Sequence, residues 1–387
     1  MSRRLLVGTR KGTFIVEKLS GEWCPRLLGH AGQGVNFVTC HPPSGTLWAA
    51  LGHGHWGAKL SRSTDDGATW EDAAQIKYPE WARYLAPPDP GSEEEGTGAV
   101  TVKEATLLKL WMIAFGGDDI YIGTIPGGLF ISRDGGDSFE LNRPLWDHDS
   151  RGGDVSSSMG SGKTAWFGTP AAADSGEFAP GLHSIVVDPR DPKRVLVAVS
   201  TAGVLETTDA GETWCGRNTG MINDYLPNPE AEWGHDAHYV DVCPGAPDHV
   251  WQQNHSGVFY SADGAQTWKR VSNEAAGVHF GFPVAVHDTD GQTAWVVPGK
   301  ADDARMTIDG GLFVARTRDG GESWDQLRNG LPQENAYDVV YRHALSQHGG
   351  VLGFGSTTGN LYLSEDEGDS WHTVANNLPP VYSVRVV

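Results

Sequence analysis

STDDGATW (63–70), SRDGGDSF (132–139), TTDAGETW (207–214), SADGAQTW (261–268), TRDGGESW (317–324) and SEDEGDSW (364–371) are six copies of one pattern. Each runs hydroxyl, any, Asp, any, Gly, any, hydroxyl, aromatic; Ala265 replaces the Gly in the fourth. Asp in mid-turn accepts from backbone N–H groups, and Gly supplies a positive φ. The aromatic then opens a strand and packs under its neighbours. Repetition at this period marks a propeller, solenoid or array.

The spacing sets the architecture. The repeated aromatics fall at 70, 139, 214, 268, 324 and 371, and the two widest gaps precede 139 and 214. A four-stranded blade takes about 40–50 residues, so those gaps carry insertions. Before the first repeat, 3–9, 12–18 and 21–26 read as three strands of a further blade, with Trp23 in place of the repeat aromatic. That blade lacks an innermost strand. The C-terminal stretch VYSVRVV (381–387) has no blade of its own. The chain therefore reads as all-β, a single seven-bladed propeller over 1–387, closed by the C-terminal strand completing the N-terminal blade. Such closure removes exposed sheet edges. The last blade serves as the template, with strands expected at 337–342, 351–356, 360–364 and from Trp371. No segment has sustained helical periodicity, so helices belong in insertions.

The repeated pattern resembles the Asp-box, or BNR repeat, of sialidases, xyloglucanases, sortilin-type receptors and photosystem II assembly factors. The resemblance implies a β-propeller, and the bacterial glycosyl-hydrolase-like members make carbohydrate an expected ligand. It does not choose among functions, because fold does not imply function. The turn aspartates themselves, such as Asp65 and Asp319, are expected to staple hairpins rather than to react.

The net charge of −20 argues against nucleic-acid and anionic-membrane partners. No run approaches a membrane span. Arg3 and Arg4 precede an apolar stretch too short for a signal h-region, so the expected location is cytoplasmic. The four cysteines form no CxxC and read as free, buried thiols. A monomer or small homo-oligomer is expected.

Sorting loops by strand order puts the long ones, about 75–106, 142–181, 218–237 and 298–310, on one face. Loops concentrated on one face build walls over a site. Nine of the fifteen histidines sort to the same side. His53, His55, His183, His235, His238 and His255 are expected to converge there, with Asp236 or Gln253 adding an oxygen. Imidazole suits Zn, Mn or Fe, so a divalent transition metal is expected on His53, His55, His183, His238 and Gln253. His235, Asp236 and His255 are the candidate catalytic groups. Trp56, Lys300 and Arg305 are the candidate substrate contacts. Trp146, Trp166 and Trp233 could stack on sugars, whereas Asp302, Asp303, Asp147, His148, Asp149 and Arg151 read mostly as solvated loop polars.

Three functions compete. The first is an enzyme, a metal-assisted hydrolase or lyase acting on a small polar or carbohydrate substrate. Some oligogalacturonate lyases are similar, with seven blades and a His/Gln metal site. The second is a glycoside hydrolase using paired carboxylates without metal. The third is a non-catalytic binding or assembly-factor propeller, whose basic docking patch this acidic chain does not suggest. A true sialidase is not expected, since RKGTF (10–14) does not match the Arg-Ile-Pro-type motif that the resemblance would require.

Overall fold

The structure is a computed structural model describing residues 3–53, 57–86, 101–153, 166, 169–170 and 178–387. It is a seven-bladed β-propeller built from seven antiparallel four-stranded sheets. Two short two-stranded ribbons, Arg83–Ala86 with Thr101–Glu104 and Thr169–Pro170 with Phe178–Ala179, are additional. Helix is confined to Arg143–Trp146 and three single 3₁₀ turns among the described residues. The four-residue helix falls in the insertion expected after the second repeat. None of the described helices is long and apolar enough to cross a membrane.

The chain packs as two compact units, residues 1–53, 61–72 and 238–387, and residues 54–60 and 73–237. The first contains the closure. Val381–Val386 pairs antiparallel with Leu5–Thr9, Leu5 opposite Val386 and Val7 opposite Val384. Leu5–Thr9 pairs in turn with Gly12–Leu19, and that strand with Glu22–Gly29. The seam is dry: Leu5, Val7, Val381 and Val384 are fully buried in one core with Phe354 and Trp371. Cβ atoms added to Gly353 and Gly355 would collide with Leu5 and Val381, so glycine lets the neighbouring sheet approach.

The last blade departs from its sequence template. Its innermost strand is Leu345–His348, and 337–342 is irregular. The hairpin turn decides this. Gly349 and Gly350 both have positive φ, the two-residue turn that matches strand twist, and it sets His348 opposite Val351. Asp338 instead accepts from Asn360 Nδ2 at 2.9 Å, which holds 337–342 as a loop.

The six repeated turns share one hydrogen-bond scheme. In the first, Asp65 Oδ1 accepts from Ser63 Oγ (2.8 Å) and Thr69 N–H (2.9 Å), while Oδ2 accepts from Thr69 Oγ1 at 2.6 Å. Ser63 Oγ accepts from Gly67 N–H at 2.8 Å. These bonds hold the Asp65 pKa down at about 2. The aromatic then reaches the preceding blade. Trp324 Nε1 donates to Val271 O, Trp70 Nε1 to Leu28 O and Trp214 Nε1 to Asn142 Oδ1. In these three repeats one octapeptide closes a hairpin and ties two blades. All four cysteines are free thiols, but only Cys243 is buried and Cys215 is exposed, which corrects the expectation of four buried thiols.

Candidate functional site

His238 lies in the innermost strand of the fifth blade, Ala237–Val242. Its Nδ1–H donates to the Gly281 carbonyl at 2.6 Å, which leaves Nε2 as the basic nitrogen. That arrangement, one ring nitrogen pinned by a carbonyl so that the other can coordinate, is how ligating histidines are oriented. Phe282 stacks on the imidazole at 4.7 Å and Phe280 meets it edge-on at 5.8 Å. The ring is 2 % exposed.

His255 sits in the tight turn between Val250–Asn254 and Gly257–Ser261, with its ring 5.4 Å from that of His238. Asp236 precedes the His238 strand by one residue, and Thr201 N–H lies 3.4 Å from its Oδ1. The ligand atoms of Asp236, His238 and His255 all lie within 4.8 Å of one another. No other such group of three occurs among the described residues. Two imidazoles and one carboxylate are the donor set of catalytic rather than structural metal sites, because three protein ligands leave positions open.

His255 Nε2 is 3.6 Å from Asp302 Oδ2, and Asp302 also accepts from Arg305. Arg305 lies over Phe282 at 5.5 Å, and Arg342 over the same ring at 5.3 Å. A small cleft opens beside this wall, lined by Phe280, Phe282, Val297, Arg305 and Asp338 among others. The loop 298–310 thus contributes polar groups next to the two histidines.

The expected convergence is therefore partial. Asp236, His238 and His255 come together. His55 and Trp56 lie outside the described residues, as does the side chain of His53. His183 is fully buried edge-on against Trp111 at 5.2 Å, the setting of a packing residue. His235 donates from Nε2 to Ala231 O at 2.6 Å, and burial lowers its pKa. Gln253 spends its amide N–H groups on the carbonyls of Asn254, Gly257 and His279, a strap across three backbone segments. Lys300 is exposed, and Arg305 is exposed and held by Asp302.

The phenylalanine wall and Arg342 were missed in the sequence. VHFGF (278–282) stands out in the sequence for His279, and only the Gly281 carbonyl bond to His238 reveals the role of its phenylalanines. Trp146 and Trp166 are about 1 % exposed, so neither offers a face to sugar. Arg151, read as a solvated loop residue, is 2 % exposed.

No protein-family model matches this chain. It is 30 % identical over 177 residues to an oligoxyloglucan-reducing end-specific xyloglucanase of Emericella nidulans, covering 43 % of this chain and 20 % of that protein. It is 23 % identical over 227 residues to a xyloglucanase of a Paenibacillus species, covering 52 % of this chain and 22 % of the relative. The chain thus spans about a fifth of the length of the curated relatives it matches. Among solved structures it is similar to the GH74 enzyme of Niastella koreensis, with a TM-score of 0.51 at 14 % identity over 98 % of this chain and 65 % of that one. The structural likeness concerns the fold alone.

Proposed function

We propose that this chain is an Asp-box propeller that hydrolyses a carbohydrate, with a divalent transition metal held by Asp236, His238 and His255. The observation that carries the reading is the gathering of those three donors within 4.8 Å, with His238 already fixed in the coordinating tautomer by Gly281. The matched segments of two xyloglucanases support a glucan-type substrate. When bound, the cation would act as a Lewis acid on a substrate oxygen. Phe280 and Phe282 keep water from the inner side of His238. In this reading Asp302 orients His255, and Arg305 at the cleft edge donates to sugar hydroxyls.

The test is elemental analysis of protein purified without chelator, coupled to cleavage of xyloglucan oligosaccharides before and after chelation. About one Zn, Mn or Fe per chain is expected, lost in His238→Ala together with cleavage. Metal-free protein that cleaves at the same rate in chelator would overturn the metal. Asp236 and Asp302 would then be the carboxylates to substitute. Failure to bind or cleave any glucan would overturn the carbohydrate assignment.

A further inference from the structure

Among the described residues, Arg151 is a buried cation without an anion. It closes the 3₁₀ turn Asp149–Arg151, at 2 % exposure. Its guanidinium lies 3.7 Å from the centre of the Trp146 ring and 4.7 Å from that of Trp166, with Tyr84 at 5.7 Å. The cage is itself fastened. Trp146 Nε1 donates to Arg83 O and Trp166 Nε1 to Ser150 Oγ. Of the guanidinium donors, Nη1 bonds the Gly127 carbonyl at 2.6 Å. Nε and Nη2 are buried and bond nothing among the described residues. Asp147, whose charge reaches Arg151, is itself bonded to Arg143 at 2.8 Å.

Nε–H and Nη2–H are the two parallel donors on one side of the guanidinium plane. They match the two oxygens of a carboxylate in bidentate geometry. Aromatic rings stabilise the cation from its faces, but they do not satisfy donors lying in its plane. Burial without an anion lowers the Arg151 pKa to about 10, the mark of a charge short of a partner. Each buried polar group left unpaired in a native protein asks for an explanation, a bound ion or a functional role among them.

We propose that Arg151 and its aromatic cage form a second ligand site, separate from the histidine centre, that binds a small carboxylate in the fork of Nε and Nη2. The cage is closed in the free protein. Entry therefore requires local opening and binding is slow, so ligand must be incubated with the protein before measurement.

The experiment is thermal unfolding of the full chain after incubation with D-glucuronate, acetate, inorganic phosphate or neutral D-glucose. Both carboxylates should raise the melting temperature and glucose should not. Arg151→Met should melt at or above the wild type without ligand, since it removes an unpaired buried charge, and should show no ligand response. Arg151→Lys keeps the charge but loses the fork, and should bind the carboxylates at least tenfold more weakly by calorimetry. Absence of any shift with both carboxylates would overturn the site, as would a wild-type-sized response in Arg151→Met. Stabilisation by phosphate alone would overturn the carboxylate class.

Discussion

The strand that closes the N-terminal blade should be the most stability-sensitive segment of the chain. Val381 and Val384 are fully buried and Val386 is 8 % exposed. Burying a valine side chain contributes about 1.5–3 kcal/mol, so the three together supply about 5–9 kcal/mol. That is comparable to the whole net stability of a typical domain, about 5–15 kcal/mol. Deleting 381–387 also strips ladder bonds from Leu5–Thr9, the Val384 N–H bond to His343 O and the paired bonds between Arg4 and Val387. The deletion variant should lose cooperative unfolding. Val384→Ala keeps the ladder and removes two methyl groups from a filled seam. It should cost about 2–3 kcal/mol from lost transfer plus the residual cavity. Urea unfolding followed by tryptophan fluorescence measures both. A deletion variant that unfolds at the parent's midpoint, or a Val384→Ala variant within 0.5 kcal/mol of it, would refute the closure as the source of stability (the threshold is about the scatter of neutral surface changes).

Three further outcomes follow from local geometry. Ala265 occupies the left-handed region at φ 67° where the other five repeats have Gly, so Ala265→Gly should stabilise by about 1 kcal/mol, and an unchanged or lower urea midpoint would contradict it. Asp319→Ala removes the acceptor of Thr317 Oγ1 and Ser323 N–H and should cost about 0.5–2 kcal/mol with activity per folded molecule retained; lost activity at full stability would place these turns in the chemistry. His30 Nε2 must donate to Ser61 Oγ, because the Ser61 proton goes to Glu71 O, so Nδ1 accepts from Thr13 and the ring is held neutral. Burial pulls its pKa from 6.5 to about 4, so the unfolded chain takes up the proton first and stability falls as pH drops through that interval. At about 1.4 kcal/mol per pH unit, discounted because the ring is partly exposed to solvent, the loss is about 1–2 kcal/mol. In His30→Gln that slope between pH 6.5 and 4 should flatten, and an equally steep acid loss in the variant would clear His30 of the effect.

What the sequence makes legible is what local chemistry fixes. Asp65 and its five counterparts bond only within their own octapeptides, so the turns, and through their spacing the blades, can be read without tertiary knowledge. Even the closure is local arithmetic: one blade lacked a strand and one strand lacked a blade. The misplaced strand at 337–342 shows the limit. YDVVYR has the alternation of a strand, yet Gly349 and Gly350 set the hairpin register and Asn360 draws Asp338 into a loop.

The site follows the same division. Asp236 and His238 are two residues apart, so their proximity was readable; His255 joins them because its tight turn lies beside the His238 strand. The tautomer of His238 is set by Gly281, 43 residues away, and no pattern announces a carbonyl. His183 shows the converse: its strand position resembles that of His238, but its neighbour is Trp111, and the same residue type becomes packing. Arg151 is the extreme case. In a chain with 29 basic and 49 acidic residues, an arginine flanked by aspartates reads as paired and solvated. Only three-dimensional structure shows it enclosed by two indoles with half its donor edge unanswered. Where acidic side chains are abundant and none of the described ones is supplied to a buried cation, the proposed anion is an external one, which is why the carboxylate test addresses Arg151 rather than the histidine centre.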